Sequence, residues 1–128
     1  MSATMLNAPQ TWRFTHLDLR HLGGNRWQVR TEFQYLHPDR LFVVPEGFIT
    51  DLDSVPRIPI VYAVVKGRAV ESAVIHDMLY RNREPRLYAD RILWDGMGHQ
   101  GIGDAHRWPI WTGVRSGGWL AYRRKGND

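Results

Sequence analysis

The residue types that could do chemistry are concentrated in Val74-Ile75-His76-Asp77-Met78-Leu79-Tyr80-Arg81-Asn82, read together with Asp90 further along. A histidine and an aspartate sit side by side among apolar residues. On a helix, residues four apart share a face, so His76 and Tyr80 point the same way. Asp77 is turned about 100° from His76. Leu87-Tyr88-Ala89-Asp90-Arg91-Ile92-Leu93-Trp94-Asp95-Gly96-Met97 also reads as a helix, with Leu87, Leu93, Trp94 and Met97 as its apolar face and Asp90 in the middle of that face. A carboxylate there must find a partner or cost stability. Arg83-Glu84-Pro85-Arg86 is a polar break that folds the two helices back antiparallel. His76 and Tyr80 then become the natural partners of Asp90. A carboxylate on one imidazole nitrogen fixes the tautomer and leaves the other nitrogen able to act as a base. The same His–Asp–Tyr network could instead serve only to pin two helices together. Asp77 argues for more than that, because a second carboxylate on a different bearing suits a metal ion, and Ca²⁺ prefers oxygen ligands.

The elements that must position these groups are read from pattern. Met1–Gln10 is a loose arm, and residues 11–128 form a single α+β domain. Thr11–Leu19 and Arg26–Leu36 read as strands joined around Gly23-Gly24-Asn25, a hairpin signal. Arg40–Val44 is a third strand, completing a small antiparallel sheet. Two or three helices follow, the central two an antiparallel pair and the last over Trp108–Ala121 with Gly117-Gly118 interrupting it. Ile60–Lys66 is apolar and short, and fits either strand or helix.

Composition bounds the function broadly. The chain has 128 residues, 43% hydrophobic and 23% charged, which is ordinary for a globular domain. It has no cysteine, so thiolate metal sites and disulfides are excluded. There is no transmembrane span and no signal-peptide core. Net charge is +4 and the sequence pI about 9.8, but no nucleic-acid-binding motif accompanies the charge. Only Arg123-Arg124-Lys125 forms a basic run. The six tryptophans are many for this length, and some are expected in a cleft or an assembly interface. The other histidines, His16, His21, His37, His99 and His106, show no zinc-ligand spacing.

Three segments in order carry a resemblance. They are Phe48-Ile49-Thr50-Asp51-Leu52-Asp53-Ser54-Val55-Pro56-Arg57, then Ala73-Val74-Ile75-His76-Asp77-Met78-Leu79-Tyr80, then Ala89-Asp90-Arg91-Ile92-Leu93 with Met97 and Gly101. From about Val44 to Arg115 the chain resembles domain-of-unknown-function family 1353, although Asp53 stands where that family usually has alanine. The resemblance implies a bacteriophage or prophage origin, and an arginine at Arg115 that could pair with a carboxylate of the site. His76-Asp77-x-x-Tyr80 followed by Asp90 is also similar, more distantly, to phospholipase A2. That similarity implies His76 as the base that activates water, Asp77 as a Ca²⁺ ligand, and Tyr80 and Asp90 as supports. The chain departs from that family in lacking cysteines and a glycine-rich calcium loop.

Thr50-Asp51-Leu52-Asp53-Ser54 offers carboxylates and hydroxyls just before the helix. Three readings rank in order: a turn capping its own backbone, a ligand loop in which Asp51 and Asp77 share a cation, and a nucleophile at Ser54 served by His76 and Asp90. Two functions follow. One is a phage-encoded hydrolase, cleaving an ester or amide of the bacterial envelope with His76 as base, Asp90 and Tyr80 as supports and Ca²⁺ on Asp77 and Asp51; the sequence leans this way. The other is a virion or tail component, located in the virion or the host cytoplasm and binding other phage proteins. The first expects His76 on the floor of an open pocket; the second expects a closed site and exposed aromatic patches.

Overall fold

The computed structural model describes residues 13–24, 26–51 and 69–126. The arm at Met1–Gln10, the segment around Ser54 and the stretch Ile60–Lys66 lie outside the described residues. The described chain is α+β: short antiparallel strands followed by three helices.

The strands make two three-stranded sheets. β1 (Arg13–Phe14), β4 (Phe33–His37) and β5 (Arg40–Val44) form one in the order β1-β4-β5, and β2 (Leu19–Gly23), β3 (Arg26–Val29) and β6 (Ile49–Thr50) form the other in the order β2-β3-β6. The hairpin around Gly23-Gly24 is present as β2–β3, with a register shift between His21 and Gly23. Both glycines have positive φ, 105° and 58°, where a side chain would be strained. The expected continuous strand over Arg26–Leu36 is corrected. It breaks at Arg30-Thr31-Glu32, three exposed residues, and its halves enter different sheets. The expected first strand is likewise split, with Thr15–Asp18 unpaired as a strand between β1 and β2.

Alternation decides which faces are buried. Phe33, Tyr35 and His37 of β4 face inward, and their partners Val44 and Phe42 of β5 lie on the same side. Phe14 stacks on Tyr35 at 4.1 Å between ring centroids. These residues meet Val74, Ile75, Met78 and Leu79 of the first helix to form the main core.

The helices are α1 (Val70–Arg81), α2 (Arg86–His99) and α3 (Asp104–Gly126). Both α1 and α2 end in the same six-residue motif. In α2, the Ile102 amide donates to the Met97 carbonyl at 3.0 Å, and Gly101 adopts φ 82°. In α1, the Glu84 amide donates to the Leu79 carbonyl at 3.0 Å. Here the left-handed position falls to Arg83, at φ 62°, which costs about 1 kcal/mol for a non-glycine residue. The Arg83 side chain offsets this by lying 4.0 Å over the Tyr122 ring and donating to the Tyr122 carbonyl. That turn folds α2 back on α1, as the polar break predicts.

The buried face of α2 is Ala89, Asp90, Ile92, Leu93, Gly96 and Met97. Leu87, expected on that face, is 62% exposed instead. α3 begins earlier than expected, at Asp104, and runs through Gly117-Gly118 without a break. Its inner stripe, Ile110, Val114 and Ala121, is buried. Its outer stripe carries Trp108 and Trp119, 55% and 47% exposed. Trp94, Trp108 and Trp111 form an edge-to-face triad with centroids 5.2 to 6.2 Å apart.

Candidate functional site

Asp90 is the centre of the site, and all three helices reach it. From α1, His76 Nε2 lies 2.6 Å from Asp90 Oδ1, and the Tyr80 hydroxyl donates to the same oxygen at 2.6 Å. From α3, Arg115 Nη1 donates to Asp90 Oδ2 at 2.6 Å. From α2 itself, Arg86 Nη2 stands 3.6 Å from Oδ2, one helical turn away. His76 and Asp90 are fully buried. Arg86 also donates to the Tyr80 hydroxyl at 3.3 Å, and to the Val114 and Arg115 carbonyls at 3.0 and 2.7 Å. One guanidinium therefore joins α2 to the backbone of α3.

The electrostatics follow from this packing. Burial alone would raise the Asp90 pKa; the hydrogen bonds from His76 and Tyr80, the charge of His76 and the bond from Arg115 outweigh it and hold the carboxyl below its ordinary value. An ionised Asp90 only accepts, so His76 places its proton on Nε2. In the neutral ring Nδ1 then carries the lone pair. Burial and the Asp90 charge push the Tyr80 phenol above its ordinary value, so it stays a donor.

Close approach of α3 depends on Gly118. A Cβ placed there would lie 2.8 Å from the Tyr80 hydroxyl and 3.4 Å from Val114. Gly96 plays the same part between α1 and α2, where a Cβ would lie 2.6 Å from Ser72 Oγ. The small residues Ala69, Ser72 and Ala73 of the α1 region are buried, as expected for closely packed helices.

Asp77 belongs to a separate network. Thr50 Oγ1 donates to Asp77 Oδ2 at 2.5 Å, tying β6 to α1. Arg81 Nε donates to Asp77 Oδ1 at 3.1 Å, and Arg81 Nη2 reaches Asp51 Oδ2 at 3.4 Å. Asp51 and Asp77 thus converge, as a shared cation site requires, but on a guanidinium. Arg81 supplies the positive charge between these two carboxylates. Among the described residues no cluster of three or more His, Asp or Glu side chains has the geometry to hold a metal ion.

The structure brings His76, Tyr80, Asp90 and Arg115 together, and Asp77 with Asp51. Ser54 lies outside the described residues. Sequence reasoning missed Arg86, read as part of a polar break, and Arg81, the bridge between Asp51 and Asp77. The i, i+4 spacing of Arg86 to Asp90 and of Asp77 to Arg81 was the available signal. It also missed a second cluster. His37 Nε2 lies 3.0 Å from Asp95 Oδ2, and the Asp39 amide donates to His37 Nδ1 at 3.0 Å. Tyr35 and His99 are hydrogen-bonded beside it. These contacts fasten the β1-β4-β5 sheet to α2. His37 is buried at the end of β4, and His99 is half-buried. Burial and the nearby His37 charge lower the His99 pKa to about 4.

No described helix is long and apolar enough to cross a membrane. No curated protein and no solved structure matches the chain. Residues 27–114, more than half of its length, match a family model described as "Protein of unknown function (DUF1353)". The match takes in β3 to β6, α1, α2 and the first half of α3, hence every residue of the Asp90 network except the Arg115 contact, and the chain belongs to the DUF1353 family.

Proposed function

We propose that this is a non-enzymatic virion or tail component of a bacteriophage or prophage, in which the Asp90 network locks three helices into one body. The observation that carries this reading is the sealing of the site: His76, Asp77 and Asp90 are each 0% exposed. A general base must come within hydrogen-bond reach of its substrate, and an imidazole without solvent exposure offers no such approach. The large exposed side chains stand elsewhere, at Trp108, Trp119 and Leu120 of α3. That pairing of a closed site with outlying aromatics is what an assembly protein requires. The phage setting rests on the family 1353 resemblance.

A second reading is favoured by one observation. In the neutral form of His76, a proton on Nε2 turned to Asp90 would leave the lone pair on Nδ1, the form a general base needs. In this reading His76 would draw a proton from water attacking an ester or amide of the bacterial envelope, with Asp90 and Tyr80 orienting the ring. Calcium on Asp77 and Asp51 would require Arg81 to move away first.

The two readings separate on His76→Ala and Asp77→Asn. The clamp reading expects His76→Ala to lower the thermal midpoint and incorporation into particles together, by a loss of about 2–5 kcal/mol, the cost of stripping a partner from a buried charge. It also expects no shift of the midpoint with Ca²⁺. A saturable rise of the midpoint with Ca²⁺ that Asp77→Asn abolishes would overturn it. So would turnover of a lipid or peptidoglycan substrate that His76→Ala removes while the fold persists.

A further inference from the structure

The outer face of α3 has a property that one stray exposed tryptophan would not have: it is complementary to itself. Trp108 and Trp119 are eleven residues apart, so on an ideal helix they lie within about 20° of one bearing and about 16 Å apart along the axis. Both are half-exposed, at 55% and 47%. Between them on the same face stand Thr112 and Ser116, small and exposed, beside Arg115, whose guanidinium turns inward to Asp90. Beyond Trp108, one turn toward the helix start, is Asp104, whose side chain is 72% exposed. Beyond Trp119, one turn toward the end, is Arg123, also exposed. The acid and the cation are symmetrically placed about the middle of the face.

We infer that this face binds a second copy of the chain through an antiparallel, two-fold pairing of α3. The register that sets Trp108 against Trp119 of the second copy also sets Asp104 against Arg123 of the second copy, and the two-fold repeats both contacts. The small residues at the centre let the helices approach there, and the indoles fill the space on either side. Asp104 engages Arg107 of its own helix through Oδ1, which leaves Oδ2 to accept from the incoming guanidinium. A parallel pairing would set Asp104 against Asp104 and Arg123 against Arg123, a like-charge clash at each end. The charge pattern therefore selects one orientation. Tryptophan and arginine are also the residues that most often dominate interface energies. One helix face is smaller than the ~800 Å² per partner of a standard interface, so the pair should be a weak, reversible one.

This deepens the assembly reading by naming the partner, and it concerns a face remote in role from the Asp90 network. The test is sedimentation equilibrium of the full chain over a wide concentration range. The expected result is a reversible monomer–dimer equilibrium that Trp108→Ser with Trp119→Ser weakens by ~10-fold or more. Asp104→Arg and Arg123→Asp should each weaken it, and the double exchange should restore it. Far-ultraviolet circular dichroism confirms that each variant keeps its helices. A monomer at every concentration overturns the pairing, as does a dimer indifferent to these substitutions. Capture of the tryptophan face by anionic vesicles without self-association also overturns it. None of these failures bears on His76→Ala, which judges the clamp reading separately.

Discussion

Asp90 is the side chain on which the polar contacts of the three described helices meet. Its two oxygens take bonds from His76, Tyr80 and Arg115, with Arg86 alongside. Removing the charge while keeping the shape isolates its worth. Asp90→Asn should cost about 3 kcal/mol in urea unfolding, because Arg115 and His76 lose their anion inside the protein. The pH dependence has two separate parts. The Asp90 pKa is lower folded than unfolded, so its contribution is complete above the unfolded value near ~4 and disappears as pH falls through the lower folded value. His99 is lowered to about 4, below an unfolded value near ~6.5. Above ~6.5 both states are neutral and nothing changes; between ~6.5 and ~4 only the unfolded chain takes up the proton, so stability declines as the solution is acidified. Thermal midpoints measured across this range should slope downward with acid, and His99→Gln should flatten the slope.

The helices were the most legible elements, because their chemistry and periodicity are local. His76, Tyr80 and Asp90 could be placed on facing helices from spacing alone, and Arg115 from the family resemblance. Arg81 and Arg86 were legible only as i, i+4 neighbours of Asp77 and Asp90, because their further partners, Asp51 and the α3 backbone, lie where spacing does not reach. The strands were harder. Arg26–Leu36 alternates throughout, and only the polar Arg30-Thr31-Glu32 at its middle marks where one sheet hands the chain to another. Gly117-Gly118 read as an interruption, yet α3 continues through it, because Gly118 is the point of close approach to Tyr80. This pair is its own control. An alanine at either position gains up to about 1 kcal/mol of helix propensity. At Gly117 the added methyl meets nothing within 4 Å, so Gly117→Ala should stabilise. At Gly118 it meets the Tyr80 hydroxyl at 2.8 Å, which Asp90 and Arg86 hold in place. The overpacking cost of about 1–3 kcal/mol wins, and Gly118→Ala should lower the denaturation midpoint.

For the whole molecule, polar cross-links join every layer. Asp90 ties the three helices, Thr50–Asp77 ties the β2-β3-β6 sheet to α1, and His37–Asp95 with Tyr35–His99 ties the other sheet to α2. The links between sheet and helix could not be foreseen by reading the two as separate modules, since each spans more than twenty positions of sequence between side chains that local pattern treats as unrelated. They predict that sheets and helices unfold together. Tryptophan fluorescence and far-ultraviolet circular dichroism should report one coincident transition. Thr50→Val, which cuts the link between β6 and α1, should lower its midpoint by about 1–3 kcal/mol while leaving the transition single; two separated transitions would show that the sheets and helices are independent units.

The tryptophan triad has an optical consequence. Trp94, Trp108 and Trp111 lie 5.2 to 6.2 Å apart at steep mutual angles. At that separation their electronic transitions do not act alone: excitation is shared among the rings, giving a paired positive and negative dichroic band and emission that has lost the polarisation of the exciting light. Trp108 belongs both to this coupled set and to the outer face of α3. Any body that settles on that face must perturb the coupled signal, so the native protein carries its own label for whatever docks there.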